Sequence, residues 1–112
     1  MRFRQERIPP AIPHEVSSCF YRIAQESLNN IAKYAHAKDV TVELFHQEQE
    51  LSLSIEDDGV GFDVKAVRGK ARLGLVSMGE RAMLIGARFS MESRIGYGTR
   101  VAVTVAYPHT DL

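Results

Sequence analysis

The feature that most limits what this chain can fold into is a change of hydrophobic period. From about His14 to Ala35 the apolar residues Val16, Cys19, Phe20, Ile23, Leu28, Ile31 and Ala35 recur at three- and four-residue steps, which predicts an amphipathic helix of about six turns. Beyond it the period drops to two. Val40, Val42, Leu44 and then Leu51, Leu53, Ile55 alternate with polar partners, and the polar connector Gln47 to Glu50 joins them as a hairpin of half-buried strands. Helical spacing returns with Leu75, Met78, Ala82 and Ile85 as far as Gly86, a helix stop. Ala87 to Ser93 then reads as a strand. After a turn at Gly96-Tyr97-Gly98, Val101, Val103 and Val105 alternate strictly with Ala102, Thr104 and Ala106 in a last strand closed by Pro108. Ahead of the first helix, the three prolines of Ile8 to Pro13 force an extended lead-in.

The order is helix, two strands, loop, helix, two strands. Sequential strands joined by short turns favour antiparallel pairing, and two amphipathic helices suffice to cover one face of such a sheet. The expected fold is an α/β (α+β) two-layer sandwich forming one domain over residues 1–112. That length allows one compact core that buries roughly two thirds of the unfolded surface. The composition, 45% hydrophobic and 25% charged with 14 basic against 14 acidic residues, is that of a soluble globular protein and points to neither nucleic acid nor a membrane. No stretch approaches the ~20 apolar residues of a membrane span, and Met1 to Arg7 is too charged for a signal peptide. The single Cys19 excludes a disulfide framework and is expected as a buried, inert thiol of a cytoplasmic protein.

Four places look chemical. On the first helix Glu26, Asn30 and Lys33 fall within an arc of roughly 60° beside the apolar stripe. They could position a water or proton, donate an oxygen to Mg²⁺ and meet a phosphate, or could simply be a solvated helix face. In Asp57-Asp58-Gly59-Val60-Gly61 the glycines let backbone approach a flat ligand and a carboxylate can accept from an exocyclic amine; the alternative is a strand-ending turn. The charged segment Asp63 to Arg72, with Lys65, Arg68, Lys70 and Arg72, reads as a mobile loop that leads into Arg72-Leu73-Gly74-Leu75 at a helix start. Exposed N–H groups there, with Lys70 or Arg72, would suit a phosphate. Gly96-Tyr97-Gly98-Thr99 is either a hairpin turn or a ligand contact through the Thr99 hydroxyl.

The order of these four places resembles the boxes of the Bergerat (GHKL) ATP-binding fold shared by histidine kinases, gyrase and related ATPases. Arg22 to Ala35, with Gln25-Glu26 and Asn30, is similar to the N box; Asp57 to Gly61 to the G1 box; Gly74 to Ala82, with Met78 and Glu80-Arg81, to the G2 box; and Gly96 to Thr99 to the final glycine-threonine turn. The similarity covers about residues 8 to 107 and is nearest to the kinases that feed regulators of the nitrate-response type, including the DesK-like branch. It implies a mixed β-sheet covered on one face by helices, and the ATP-binding catalytic domain of a two-component sensor histidine kinase. By the resemblance Asn30 ligates Mg²⁺, Glu26 orients or activates a water or the acceptor, Lys33 reaches the phosphates and Tyr34 lines the pocket. Asp57 reads the adenine amine with Thr99 in support, Gly59, Gly61 and Gly74 let the backbone close on the nucleotide, Lys70, Arg72 and Leu75 border it, and residues 63–73 form the ATP lid.

Two positions depart from that pattern. Arg72 stands where many relatives have the first glycine of a Gly-x-Gly pair, and Gly79 where this branch usually has Arg or Lys. None of His14, His36, His46 and His109 lies mid-helix in an acceptor pattern, so each is expected at the surface or in a turn. The implied partners are therefore a separate dimerisation and phosphoacceptor domain of the same kinase and a downstream response regulator, with this domain monomeric when isolated. The alternatives left open are a GHKL ATPase or serine kinase of the anti-sigma type, and a degenerate nucleotide-binding interaction module.

Overall fold

The computed structural model describes residues 1–9 and 11–107. Pro10, Pro108 and His109, which figure in the sequence reading, lie outside the described residues. The strands β1 (Arg2–Glu6), β2 (Val40–Gln47), β3 (Glu50–Asp57), β4 (Arg88–Arg94) and β5 (Gly98–Ala106) form one sheet in the order β1-β2-β3-β5-β4. Helix α1 (His14–Asn30) runs on into a π-helical turn, Ile31–Ala35; a 3₁₀ turn, Val64–Ala66, precedes helix α2 (Gly69–Leu84).

Cross-strand register explains why the helices gather on one side. Leu51 faces Val105, Leu53 faces Val103 and Ile55 faces Val101, while Val42 and Leu44 lie opposite Ile55 and Leu53, and Phe89 and Met91 opposite Val103 and Val101. With side chains alternating across the pleat, all of these share one face. The intervening pairs, Ser52 with Thr104, Ser54 with Ala102 and Glu56 with Arg100, make the other face polar. Val16, Cys19, Phe20 and Ile23 of α1 and Met78 and Ala82 of α2 complete the core against the apolar face. Burial also pushes the Cys19 thiol pKa up, as expected of an inert thiol. The two-layer α+β sandwich expected from the periodicity is the fold observed.

The β2–β3 turn and the C-terminal end of α2 follow from local chemistry. Glu48 and Gln49 take φ of 53° and 63°, the two-residue turn whose twist matches the flanking strands. Gly86, at φ 71°, stops α2: its N–H donates to the Met83 carbonyl at 3.0 Å and that of Ala87 to the Ala82 carbonyl at 2.9 Å, which is a Schellman ending.

Two elements differ from expectation. Strand β1, parallel to β2, went unread because all five of its residues are exposed and show no alternation; it is held by its ladder and by an Arg4–Glu43 ion pair at 3.3 Å. Its pairing makes the sheet mixed. The second correction concerns residues 63–73, expected as a loop with the helix starting near Gly74. Helix α2 instead begins at Gly69, five residues earlier. The Asp63 carboxylate accepts from the Lys65 N–H at 3.0 Å to cap the 3₁₀ turn, and Arg68 Nη1 donates to the Lys65 and Val67 carbonyls, so the approach is ordered. Lys70, Ala71, Arg72 and Leu73 are good helix formers that carry no apolar periodicity, the one signal used to place the helix start.

The loops at the far end of the sheet from the hairpin are drawn together where only glycine fits. Gly98, at φ 88°, would place a methyl 2.1 Å from the Asp57 carbonyl oxygen, and Gly61, at φ 65°, would place one 2.0 Å from that of Arg94. Gly96, in the same turn at φ 89°, has no heavy atom within 4 Å of its would-be methyl. Gly96→Ala should therefore cost only the backbone penalty, roughly 1–2 kcal/mol. Gly98→Ala should cost more than roughly 3 kcal/mol because strain and collision add. Denaturant titration of the two variants checks this, and equal losses would contradict it.

Candidate functional site

The same period-two alternation that builds the core also turns a carboxylate inward. Leu51, Leu53 and Ile55 face the helices, so the next inward position on β3 is Asp57, which is only 5% exposed. Its Oδ1 accepts from the Gly59 N–H at 2.7 Å. Burial pushes its pKa up, the Gly59 N–H opposes that, neighbouring Asp58 adds to it, and the Thr99 N–H again opposes it. Thr99 sits directly across the ladder from Asp57 on β5, so the two polar groups stand side by side at the end of an apolar stripe.

Above them lies a cavity of about 260 Å³ between the α1–π-turn segment, the sheet and the stretch from Val60 to Leu75. Its walls are apolar, with Ile31, Ile55, Phe62, Leu75, Met91 and Val101 prominent, and its polar groups are few: Asp57, Thr99, Asn30 and Ser27. A flat apolar slot with a small number of fixed polar groups is the usual form of a small-molecule site. Ser27 is turned away from solvent and its hydroxyl donates to Met78 Sδ at 3.5 Å, joining α1 to α2.

Of the residues singled out in the sequence, Asn30, Tyr34, Asp57, Gly61, Leu75 and Thr99 line this cavity. Six others do not. Glu26 faces α2, where a methyl on Gly74 would lie 2.2 Å from its Oε1; Gly74 thus makes room for Glu26 and lies inside a helix rather than at its start. Gly59 is buried under the π turn, its would-be methyl 2.2 Å from the Ala35 carbonyl oxygen, so its lack of a side chain admits Ala35 and not a ligand. Lys33 is exposed on the π turn. Lys70 and Arg72 are exposed on the first turn of α2.

Several contributors were missed. Phe62 and Met91 reach the cavity from outside the motifs, and Val67 and Ala71, not singled out individually, reach it from within residues 63–73. Ser93, on β4, bonds the Thr99 hydroxyl at 2.7 Å. The Asp58 carboxylate accepts from the Asp39 and Lys38 N–H groups, both at 2.9 Å. Those bonds hold its pKa below the usual carboxylate range and tie the segment after the π turn to the loop below the cavity. The inward position of Asp57 was available in the sequence as the fourth term of the series Leu51, Leu53, Ile55. His46, expected at the surface, is buried, with Nε2 2.8 Å from the Tyr107 carbonyl oxygen and its ring edge-on to that of Tyr107.

Among the described residues no group of three or more His, Cys, Asp or Glu could enclose a metal ion, and no helix is long and apolar enough to cross a membrane. A hard cation would take its remaining ligands from a bound anion, with the Asn30 amide oxygen as the protein donor bordering the cavity. That sparse donor set suits Mg²⁺, which keeps waters and substrate phosphates in its shell.

Comparison with known proteins agrees with this geometry. Residues 15–109 match the family described as histidine kinase-, DNA gyrase B-, and HSP90-like ATPase. The Sensor protein VraS of Staphylococcus epidermidis is 37% identical over 108 residues, covering 88% of this chain and 31% of that protein. This chain therefore spans about a third of the length of that relative. Among solved structures, the histidine kinase domain of the blue-light activated histidine kinase of Erythrobacter litoralis superposes with a TM-score of 0.73 at 20% identity, over 94% of this chain and 50% of that one. Full-length ShkA in complex with AMPPNP superposes with a TM-score of 0.77 at 15% identity, over 99% of this chain and 26% of that one. A buried carboxylate at the end of an apolar cavity, on this fold and with this sequence match, leads to one conclusion: the chain belongs to the histidine kinase-, DNA gyrase B-, and HSP90-like ATPase family.

Proposed function

We propose that this domain binds MgATP in the cavity between α1 and α2 and presents the γ-phosphoryl group to a histidine on a separate dimerisation domain of a larger kinase, from which a response regulator would be phosphorylated. The observation that carries the reading is the buried Asp57 carboxylate lining a largely apolar cavity. A nucleobase would enter edge-first, its exocyclic amine donating to Asp57 with Thr99 beside it, and its faces against the apolar walls and the Tyr34 ring. The complex of full-length ShkA with AMPPNP supports the same assignment by likeness of fold.

From that base the triphosphate would extend toward Asn30 and the first turn of α2. The N–H groups there, with Lys70 and Arg72, would neutralise phosphate charge, and Lys33 would reach the tail from the π turn. Asn30 would hold Mg²⁺, which supplies charge neutralisation between the phosphates. Glu26, one helical turn from Asn30, would orient the attacking imidazole or accept its proton. Phosphoryl transfer asks mainly for placement and charge stabilisation, and a domain with a fixed base reader and a mobile acceptor supplies both. The acceptor would be a histidine of that dimerisation domain. The serine-kinase and interaction-module alternatives are less favoured because the matching proteins are sensor proteins and histidine kinases. An ATP-consuming domain of this kind would work in the cytoplasm.

Asp57→Asn should lower adenine-nucleotide affinity at least roughly tenfold, the loss of one charge-assisted bond in a buried site, while the fold is retained because the amide oxygen can still accept from Gly59. Unchanged affinity in titration calorimetry would remove Asp57 from the site. The raised pKa gives the sign of a second outcome. A carboxyl whose folded pKa lies above its unfolded value favours the folded state below the ordinary carboxylate range, and that advantage is lost as pH rises through the folded value. Measured against Asp57→Asn, the wild-type domain should lose relative stability with rising pH across that window, and its ATP affinity should fall as pH drops through it. Incubated with a histidine-bearing helical dimer and ATP, the domain should yield an acid-labile phosphoryl product, and Glu26→Gln should slow that transfer roughly 10²-fold with ATP affinity little changed. An acid-stable product would point to a serine acceptor instead.

A further inference from the structure

Resting on the nucleotide reading, we infer that Ser93 is a positioning residue for base selection: it fixes the direction of the Thr99 hydroxyl so that this end of the cavity presents hydrogen-bond acceptors and rejects a 6-oxo purine. Ser93 does not line the cavity and belongs to no recognisable sequence motif. Its Oγ is nevertheless the hub of three contacts. The Phe62 N–H donates to it at 2.9 Å, the Thr99 Oγ1 lies 2.7 Å away, and the Gly98 carbonyl oxygen lies at 3.2 Å.

A hydroxyl has one proton to give and two lone pairs to fill. Ser93 satisfies all three contacts in only one way: it accepts from Phe62 N–H, donates to the Gly98 carbonyl, and accepts the proton of Thr99. The reverse sense, with Ser93 donating to Thr99, would leave the contact to Gly98 without a proton. Hydroxyl directions follow from such network counts. The Thr99 proton is then committed away from the cavity, and the hydroxyl offers lone pairs alone on that side.

The neighbour of Thr99 across the ladder is Asp57, an acceptor when ionised. Two acceptors side by side complement an exocyclic amine, directly or through a water that passes its own proton inward. A carbonyl at the same position on the base meets lone pairs. Buried polar mismatch of this kind is what gives polar sites their discrimination. Because Ser93 is anchored by Phe62 on one side and Gly98 on the other, the hydroxyl direction is also tied to the loop that carries Val60 and Gly61, through the bond from Gly96 N–H to the Val60 carbonyl at 2.7 Å.

The test is titration of the domain with MgATP and MgITP. Ser93→Ala frees the Thr99 proton to turn toward the cavity, and the ratio of ATP to ITP affinity should fall roughly 3- to 10-fold, the value of one hydrogen bond in each direction. Ser93→Thr, which keeps a hydroxyl, should preserve the wild-type ratio. In a Thr99→Val background, Ser93→Ala should leave the ratio unmoved, since the hydroxyl it directs is gone. Equal losses for both nucleotides in Ser93→Ala, or an unchanged ratio with ATP still bound, would overturn the inference by reducing Ser93 to a loop anchor. Should Ser93→Ala fail to fold, Ser93→Cys keeps the shape with a poor hydrogen-bonding atom and should lower the ratio in the same sense; an unchanged ratio there overturns the inference equally. Failure of the wild-type domain to bind ATP at all would instead refute the nucleotide reading beneath it.

Discussion

The structure turns on the close approach of three loops beneath Asp57. Gly98 lies against the Asp57 carbonyl, Gly61 against that of Arg94 and Gly59 against that of Ala35, each with no room for a side chain. Backbone bonds complete the joint: Val60 N–H to the Ala35 carbonyl at 2.8 Å and Gly96 N–H to the Val60 carbonyl at 2.7 Å. This joint fastens the end of the first helix to the ends of three strands. Without it the cavity would have walls but no floor: the β3–β5 ladder pairs Asp57 with Thr99, and this joint brings the π turn that carries Tyr34 beside them.

Once that joint is made, the chemistry of the site follows from ordinary alternation. A strand with Leu51, Leu53 and Ile55 facing the core must place Asp57 on the same side, and burial there would be costly for an isolated carboxylate. The Gly59 and Thr99 N–H groups offset part of that cost, and the raised pKa records what remains. A carboxylate kept in an apolar slot at some expense to stability is more useful for recognition than for folding. The three-centre arrangement around Ser93 gives the neighbouring hydroxyl a direction, so the polar end of the slot is organised before any base arrives.

The phosphate end is built differently. Lys33 is exposed on the π turn, and Lys70 and Arg72 are exposed on the first turn of α2. Glu26 is held between the two helices by the space that Gly74 leaves. Under the proposed function, a buried base reader combined with exposed cations at the tail would suit a domain that hands a phosphoryl group to a partner and then releases the product.

Periodicity alone determined most of the fold: the α1 stripe from Val16 to Ala35, the β2–β3 hairpin, the Met78 and Ala82 contact face of α2 and the Val101 to Val105 strand are one-dimensional patterns with one solution each. Motif order also marked Asn30, Tyr34, Asp57 and Thr99, because their residue types and separations survive in the chain. Tertiary structure alone decided the rest. β1 is held mainly by its backbone ladder, and its exposed residues carry no alternation to signal it. The start of α2 at Gly69 depends on helix propensity rather than on an apolar face. Lys33 sits on a π turn that no spacing announces. Gly59 and Gly74 look like ligand-facing glycines in sequence, yet they make room for Ala35 and Glu26, since what a missing side chain admits depends on which segments the fold presses together.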